Sequence, residues 1–230
     1  MFCVVIPTYN ERNNIGNLIN SLINLINNLY IIVVDDNSPD GTAEVVKNLG
    51  HNNLYLIIRS GKLGLGSALR DGMRKGLELG CERIATMDAD FSHDPRYLKN
   101  MYEVSVKSNA DLVIGSRYIK GGKIENWGYH RFIISKAANL LAKVLLRTKV
   151  NDNTSNFRIY SRIAVERAIE CNDANGFEYQ ICTVYKISKA KLKIIEFPII
   201  FKDRKEGSSK LKFNDIIKWL VYIIKLSLSS

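Results

Sequence analysis

Short, unbroken apolar runs alternate with longer stretches in which apolar residues return every three or four positions. The runs are Phe2 to Ile6, Tyr30 to Val34, Leu54 to Ile58, Arg83 to Met87 and Leu112 to Gly115. Runs this short and this uniformly apolar read as strands buried on both faces. Between the first two, Glu11 to Asn28 spaces Ile15, Leu18, Ile19, Leu22 and Ile26 as a helix does. Thr42 to Leu49 and Ser67 to Leu79 read as further helices. Asp94 followed by Pro95 predicts the N-cap and first turn of another. Strand and helix in alternation predict an α/β fold with a mostly parallel sheet flanked by helices.

The second half follows a different rhythm. Tyr118 to Gly128 is polar and contains glycine, which predicts a loop or hairpin, and Tyr129 to Arg147 reads as a long amphipathic helix. Leu192 to Phe201 is a strand interrupted at Pro198, and Lys202 to Lys212 is polar and strongly basic. Phe213 to Leu228 is apolar but carries Lys218 and Lys225. It falls short of the about 20 apolar residues a bilayer span needs. The expected organisation is one domain over residues 1–211 and an amphipathic extension over 212–230. That extension is expected to lie in a membrane interface, with Trp219 and Tyr222 at headgroup level. Packing of this helix and of Tyr129 to Arg147 on the core, or on a second subunit, is the competing reading.

Composition adds one constraint. Among 230 residues, 33 Lys and Arg stand against 23 Asp and Glu, a formal net charge of +10. That balance points to an anionic partner, whether nucleic acid, anionic membrane or phosphorylated ligand. No recognised nucleic-acid motif accompanies it, so a basic nucleic-acid module is the weaker alternative and no nucleic-acid partner is expected. Cys3, Cys81, Cys171 and Cys182 are scattered without a CxxC pair, which predicts buried thiols in a reducing compartment. The segment from Met1 to Pro7 does not have the form of a secretory signal.

Candidate chemistry lies where the predicted strands end. Pro7 to Glu11 follows the first strand, Asp35 to Gly41 the second, Arg59 to Gly66 the third and Asp88-Ala89-Asp90 the fourth. In an open parallel sheet these ends share one edge, where ligands bind. The Asp88 and Asp90 carboxylates are hard oxygen donors, suited to a Mg²⁺ or Mn²⁺ ion completed by substrate phosphates. Histidines 51, 93 and 130 are not spaced as a zinc site. The glycines at 61, 64 and 66 fit neither a P-loop nor a dinucleotide fingerprint.

Pro7 to Glu11, Asp35 to Thr42, Lys62 to Gly66, Asp88 to Pro95 and Gly115 to Tyr118 stand in an order that resembles the inverting GT-A glycosyltransferases. Within these the chain is most similar to the dolichol-phosphate mannose synthases. The likeness continues through Trp127, Arg131, Ser135, Asn139, the segment Asp152 to Arg158 and the segment Arg204 to Leu211. It implies a GT-A (Rossmann-like) fold, a GDP-mannose donor and a dolichyl (polyprenyl) phosphate acceptor. It further implies a donor pocket of Pro7, Tyr9, Glu11, Asp35, Asp36, Gly66, Arg70, Asp88, Ala89 and Asp90. Arg204 and Lys210 would join the donor diphosphate or a closing loop. Asp88 and Asp90 would hold the metal, and Arg117, Arg131 and Ser135 the acceptor phosphate. Asp90, Arg117 and Arg131 would be the catalytic set. Asn156 stands where a glycine is frequent and is expected to keep a left-handed turn. Work at the cytoplasmic face of a membrane is implied, with a membrane-anchoring partner or a further C-terminal membrane segment. A relative using UDP-glucose with the same lipid phosphate would look alike.

Paired arginines make chemical sense of a phosphate acceptor. An alcohol needs a general base, whereas a phosphate monoester is already largely dianionic at neutral pH. It needs orientation instead, which guanidinium supplies bidentately.

Overall fold

The computed structural model describes residues 1–203 and 213–228. Strands β1 (Phe2–Thr8), β2 (Leu29–Asp35), β3 (Leu54–Ile58), β4 (Arg83–Thr86) and β5 (Leu112–Ser116) lie where the apolar runs predict. Helices α1 (Arg12–Leu25), α2 (Thr42–Asn48), α3 (Leu65–Glu78) and α4 (Arg96–Lys107) separate them. Pro95 takes the N-cap position of α4, one residue later than expected, and the Asp94 carboxylate before it accepts the Arg96 amide at 2.9 Å.

The chain continues with β6 (Lys123–Glu125), α5 (Tyr129–Leu145), β7 (Arg158–Ser161), α6 (Arg162–Ile169) and α7 (Tyr179–Lys189). It closes with β8 (Ile194–Pro198), β9 (Ile200–Lys202) and α8 (Phe213–Leu228). The main sheet has the order β3-β2-β1-β4-β7-β5-β8, and β6 pairs with β9 in a small second sheet. Among the described residues only β7 runs antiparallel in the main sheet, against both β4 and β5. Its first residue, Arg158, pairs with Thr86 and Ile114, near the ends of those strands. The segment just before β7 is thereby delivered to the edge where the parallel strands finish.

Apolar packing on both faces explains the unbroken runs. Cys3, Val5, Ile32 and Val34 join Leu69 and Met73 of α3 on one face. Val4, Ile6, Ile31 and Val33 join Ile15, Leu18 and Leu22 of α1 and Leu98 of α4 on the other. Successive residues of one strand therefore enter different layers.

Four expectations need correction. β7, α6 and α7 were not legible in the sequence. β7 is only four residues long and opens on an arginine, and α7 is buried around most of its circumference, so neither shows a clean period. Tyr118 to Gly128 is no hairpin, because β6 pairs in parallel with the distant β9. The cysteines are buried but paired, Cys3 with Cys81 and Cys171 with Cys182, with Cα atoms 6.0 and 6.1 Å apart. Folding brings β1 to the end of α3 across 78 residues of sequence, which spacing alone does not report. Finally, Trp219 and Tyr222 of α8 are buried against the body with Ile223 and Leu226. Tyr222 donates to Asp173 at 2.8 Å and Lys225 pairs with the same carboxylate at 2.6 Å. The side of α8 left open carries Ile217, Val221, Ile224 and Leu228.

α3 seats flat on the sheet through small residues. A Cβ at Gly72 would overlap Val5 Cγ1 and lie 3.1 Å from Val34 Cγ2. Alanine is the better helix former by about 1 kcal/mol, yet forced overlap in a close-packed core costs about 1–3 kcal/mol. Gly72→Ala is expected to lower the urea midpoint with an unchanged slope. A midpoint at or above wild type would show that helix and sheet can part freely.

Candidate active site

The strand ends of β1, β2, β4 and β5, with the segment entering β7, converge on one edge. On the β1–β2 side, Asp35 is wholly buried. Its carboxylate accepts Thr8 Oγ1 at 2.8 Å, Ser38 Oγ at 2.6 Å and the Ser38 amide at 2.8 Å. Asp35 is thus engaged in shaping the loop. Asp36 is also largely buried, paired with Arg59 at 2.8 Å and accepting the Gly64 amide at 3.3 Å. Burial pushes its carboxyl above the usual range, and the Arg59 charge opposes that without cancelling it. Pro7 and Tyr9 are half-buried beside them, and Lys62 Nζ stands 4.1 Å over the Tyr9 ring. Glu11 is buried and accepts Asn14 Nδ2.

Gly66 and Arg70 have jobs within the protein. A Cβ at Gly66 would overlap the Ala174 carbonyl oxygen, and the Gly66 amide donates to Asn175 O at 2.8 Å. Arg70 is 6% exposed and donates to the carbonyls of Cys171 and Ala174 at 2.6 and 2.7 Å, and to Asn175 Oδ1. Both therefore anchor the 171–175 loop over α3. Burial lowers the Arg70 pKa from its ordinary value.

Asp88 and Asp90 leave the end of β4 half-exposed, with Ala89 buried between them. Asp88 Oδ1 accepts Asn156 Nδ2 at 2.8 Å, and Oδ2 lies 3.7 Å from His93 Nδ1. Asp90 Oδ1 accepts the Ser92 amide and hydroxyl at 3.0 and 2.6 Å. Phe91 between them has φ +58°, a costly backbone for a bulky residue. His93 is buried and stacked on Phe157, and burial lowers its pKa against the pull of Asp88. No cluster of three His, Cys, Asp or Glu side chains that could hold a metal is present among the described residues. Two half-exposed carboxylates fit a cation that completes its shell with waters and phosphate oxygens. Asn156 does not adopt the left-handed backbone expected of it; its side chain bridges Asp88 and Gln180 Nε2 instead, the latter at 2.8 Å.

Arg117 follows β5 and is 8% exposed. Its Nε and Nη2 donate to Asp152 at 2.8 and 2.7 Å, its amide to the same carboxylate at 3.0 Å, and Nη2 also to Thr154 at 2.8 Å. Burial works to raise the Asp152 pKa, but the Arg117 charge and hydrogen bonds overcome it and hold this carboxyl below its ordinary range. Glu196 of β8 accepts the Asp152 amide at 3.0 Å, both Asn151 donors at 3.0 and 2.8 Å and Ser116 Oγ at 2.7 Å. Arg131 of α5 pairs with Asp203 at 3.0 Å and stacks 4.2 Å from the Trp127 ring centre. Arg117 faces the same ring at 5.4 Å, so one tryptophan gathers both arginines. Ser135 accepts the Tyr118 hydroxyl at 2.8 Å. Arg204 and Lys210 lie outside the described residues.

The roles of two contributors escaped the sequence. Arg59, marked only by its place at a strand end, is the cation that fixes Asp36. Glu196 stands alone in the apolar run Ile194-Ile195-Glu196-Phe197, a pattern that marks a carboxylate with buried work to do.

Removing one partner of a buried ion pair costs about 3–5 kcal/mol because the other charge stays behind. Asp152→Asn is expected to lose stability of that order. The folded Asp152 carboxyl lies below its unfolded value, so the pair's contribution is complete above the unfolded pKa of about 4 and withdraws as pH falls through the folded pKa. The gap between wild type and Asp152→Asn should be constant from about pH 5 to 8 and narrow below about pH 4. A gap independent of acid would contradict the charged pair.

Residues 3–168 match the family described as glycosyl transferase family 2. The chain is 36% identical over 217 residues to the polyprenol monophosphomannose synthase of Mycolicibacterium smegmatis, covering 93% of this chain and 82% of that protein. It is 36% identical over 228 residues to the dolichol-phosphate mannosyltransferase of Pyrococcus furiosus, covering 97% of this chain and 62% of that one. In fold it is similar to glucosyl-3-phosphoglycerate synthase from Mycobacterium tuberculosis, crystallised with Mn²⁺, uridine diphosphate and phosphoglyceric acid. That likeness has a TM-score of 0.72 at 18% identity, over 99% of this chain and 78% of that one. With the sheet order, the carboxylate pair and the arginine cluster, these matches establish that the chain belongs to glycosyl transferase family 2.

Proposed function

We propose that this protein transfers mannose from GDP-mannose to a polyprenyl (dolichyl) phosphate, inverting the anomeric carbon. The observation that carries this is the cationic site built around Trp127. Arg117 follows β5 on the sheet edge where β4 ends in Asp88 and Asp90 and is fixed by a buried carboxylate, and Arg131 of α5 is stacked on the Trp127 ring that Arg117 also faces. Two named relatives at 36% identity act, by their names, on polyprenol or dolichol phosphates. Arg117 and Arg131 would hold and aim the acceptor phosphate, which brings its own negative charge and needs no base. Asp88 and Asp90 fit Mg²⁺ or Mn²⁺, which when bound would offset charge growing on the departing nucleoside diphosphate. Asp36 and Tyr9 would receive the nucleoside. One displacement at carbon, with no covalent sugar–protein species, gives the β product.

We further infer that the protein works at the cytoplasmic face of a membrane. α5 exposes Tyr129, Ile133, Leu140 and Val144 at steps of four, seven and four residues, and it packs beside α8 with its open apolar side. No described helix is long and apolar enough to cross a membrane. Lysines 136, 143 and 218 flank this surface, as suits anionic headgroups.

The decisive assay offers GDP-mannose or UDP-glucose with a short polyprenyl phosphate, with and without Mn²⁺. Mannosyl transfer from GDP-mannose with a β product is expected, with loss of at least about a hundredfold in Asp90→Ala while its circular dichroism is retained. An α product, or wild-type turnover of Asp90→Ala in chelator, would sink the mechanism. Release from UDP-glucose alone would reassign the donor. In flotation, wild type should rise with anionic vesicles and a Val221→Asp/Ile224→Asp variant should stay below. Equal behaviour of the two would remove the membrane role from α8.

A further inference from the structure

The two carboxylate oxygens of Asp88 have different surroundings. Oδ1 accepts Asn156 Nδ2 at 2.8 Å, and Oδ2 lies 3.7 Å from His93 Nδ1. That nitrogen accepts the Asp88 amide at 3.3 Å, so it carries no proton to offer the carboxylate. Oδ2 thus receives no hydrogen bond from the described residues, on a side chain that is half-exposed.

The donor to Oδ1 is held at both its backbone and its side chain. Asn156 is buried, and its carbonyl oxygen accepts Thr86 Oγ1 at 2.6 Å. Thr86 is the last residue of β4, so Asn156 is tied to the strand that carries Asp88. From α7, Gln180 Nε2 donates to Asn156 Oδ1 at 2.8 Å. An amide whose oxygen is taken by a donor presents its NH₂ on the other side. Gln180 therefore decides which end of Asn156 meets Asp88. The reverse orientation would set an amide oxygen against a carboxylate oxygen, two acceptors with no proton between them. Arg158 Nη1 in turn donates to the Gln180 carbonyl at 2.8 Å, which fixes this turn of α7 beside β7.

Gln180 gains little for the fold in this place. It is buried, and its Oε1 has no hydrogen-bond partner among the described residues. A buried acceptor left unpaired is destabilising, and an apolar side chain of that length would avoid the cost. The donor at Nε2 is what the position supplies.

We infer that Asn156 and Gln180 are positioning residues for metal binding, a chain of two amides that holds the Asp88 carboxylate with Oδ2 open to a cation. Fixing a ligating carboxylate beforehand removes rotamers that the cation would otherwise have to freeze. The inference rests on the proposed metal role of Asp88 and goes beyond it by naming two residues that act through that carboxylate.

The test is the affinity of the whole chain for Mn²⁺ in the presence of GDP or UDP, read from the electron paramagnetic resonance of free Mn²⁺, without acceptor or turnover. Asn156→Ala is expected to weaken Mn²⁺ binding about tenfold, the low end of what losing such a support costs. Gln180→Met keeps the length and removes the unpaired oxygen, so its urea midpoint should stay near wild type while Mn²⁺ binding weakens about threefold. The double variant should bind as Asn156→Ala does, because Gln180 acts only through Asn156. A purely structural role would lower the midpoint and leave the Mn²⁺ affinity of the folded chain untouched. Wild-type affinity in either folded variant, or effects that multiply in the double variant, would overturn the amide chain and leave the metal site standing. Gln180→Met decides alone if Asn156→Ala does not fold. Failure of the wild type to bind Mn²⁺ with either nucleotide would overturn the metal reading of Asp88 and the amide chain with it.

Discussion

Arg117 is almost entirely out of water, and a cation in that position is tolerable only against an equally buried anion. Asp152 is that anion: two hydrogen bonds from Nε and Nη2 fix the guanidinium plane, and the Arg117 amide donates to the same carboxylate. Support runs on through the backbone. Glu196 on β8 ties down Asn151 and Asp152 and also Ser116, the last residue of β5. The parallel pairing of β5 with β8 sets Ile114 opposite Glu196, which places that carboxylate beside the end of β5. The direction in which Arg117 presents charge is therefore decided by the register of two strands. Arg158 adds a second buried cation beneath, donating to the Asn153 carbonyl at 2.9 Å and helping to keep Asp152 ionised.

The parallel strands and their helices were legible because each strand is apolar on both faces and each early helix on only one. Position at strand ends then made Asp88 and Asp90 conspicuous. What stayed hidden obeys different physics. β7 is held by two neighbours rather than by its own composition, so four residues beginning with arginine suffice. α7 is surrounded, so its polar residues, such as Gln180 and Thr183, are spent on internal partners and erase the stripe that identifies a helix.

Residue roles were partly legible for a similar reason. The type of a side chain reports what it can bond, whereas the fold decides what it does bond. Arg70 has the chemistry of a phosphate ligand, yet three acceptors of the 171–175 loop occupy it. Trp219 and Tyr222 have the chemistry of a headgroup belt, yet they face inward. Asn156 tolerates a left-handed turn, but it contributes an amide bridge instead.

The five residues from Asp152 to Asn156 join the two halves of the site. One end grips Arg117, the other touches Asp88, and Thr154 between them bonds Arg117 as well. A ligand that draws Asp88 away from Asn156 changes the free energy of the segment that holds Arg117. Linkage is reciprocal, so an anion seated on Arg117 alters affinity at Asp88 by the same factor. With the proposed donor at Asp88 and the proposed acceptor at Arg117, so short a shared span would let each ligand change the other's affinity equally, whichever arrives first.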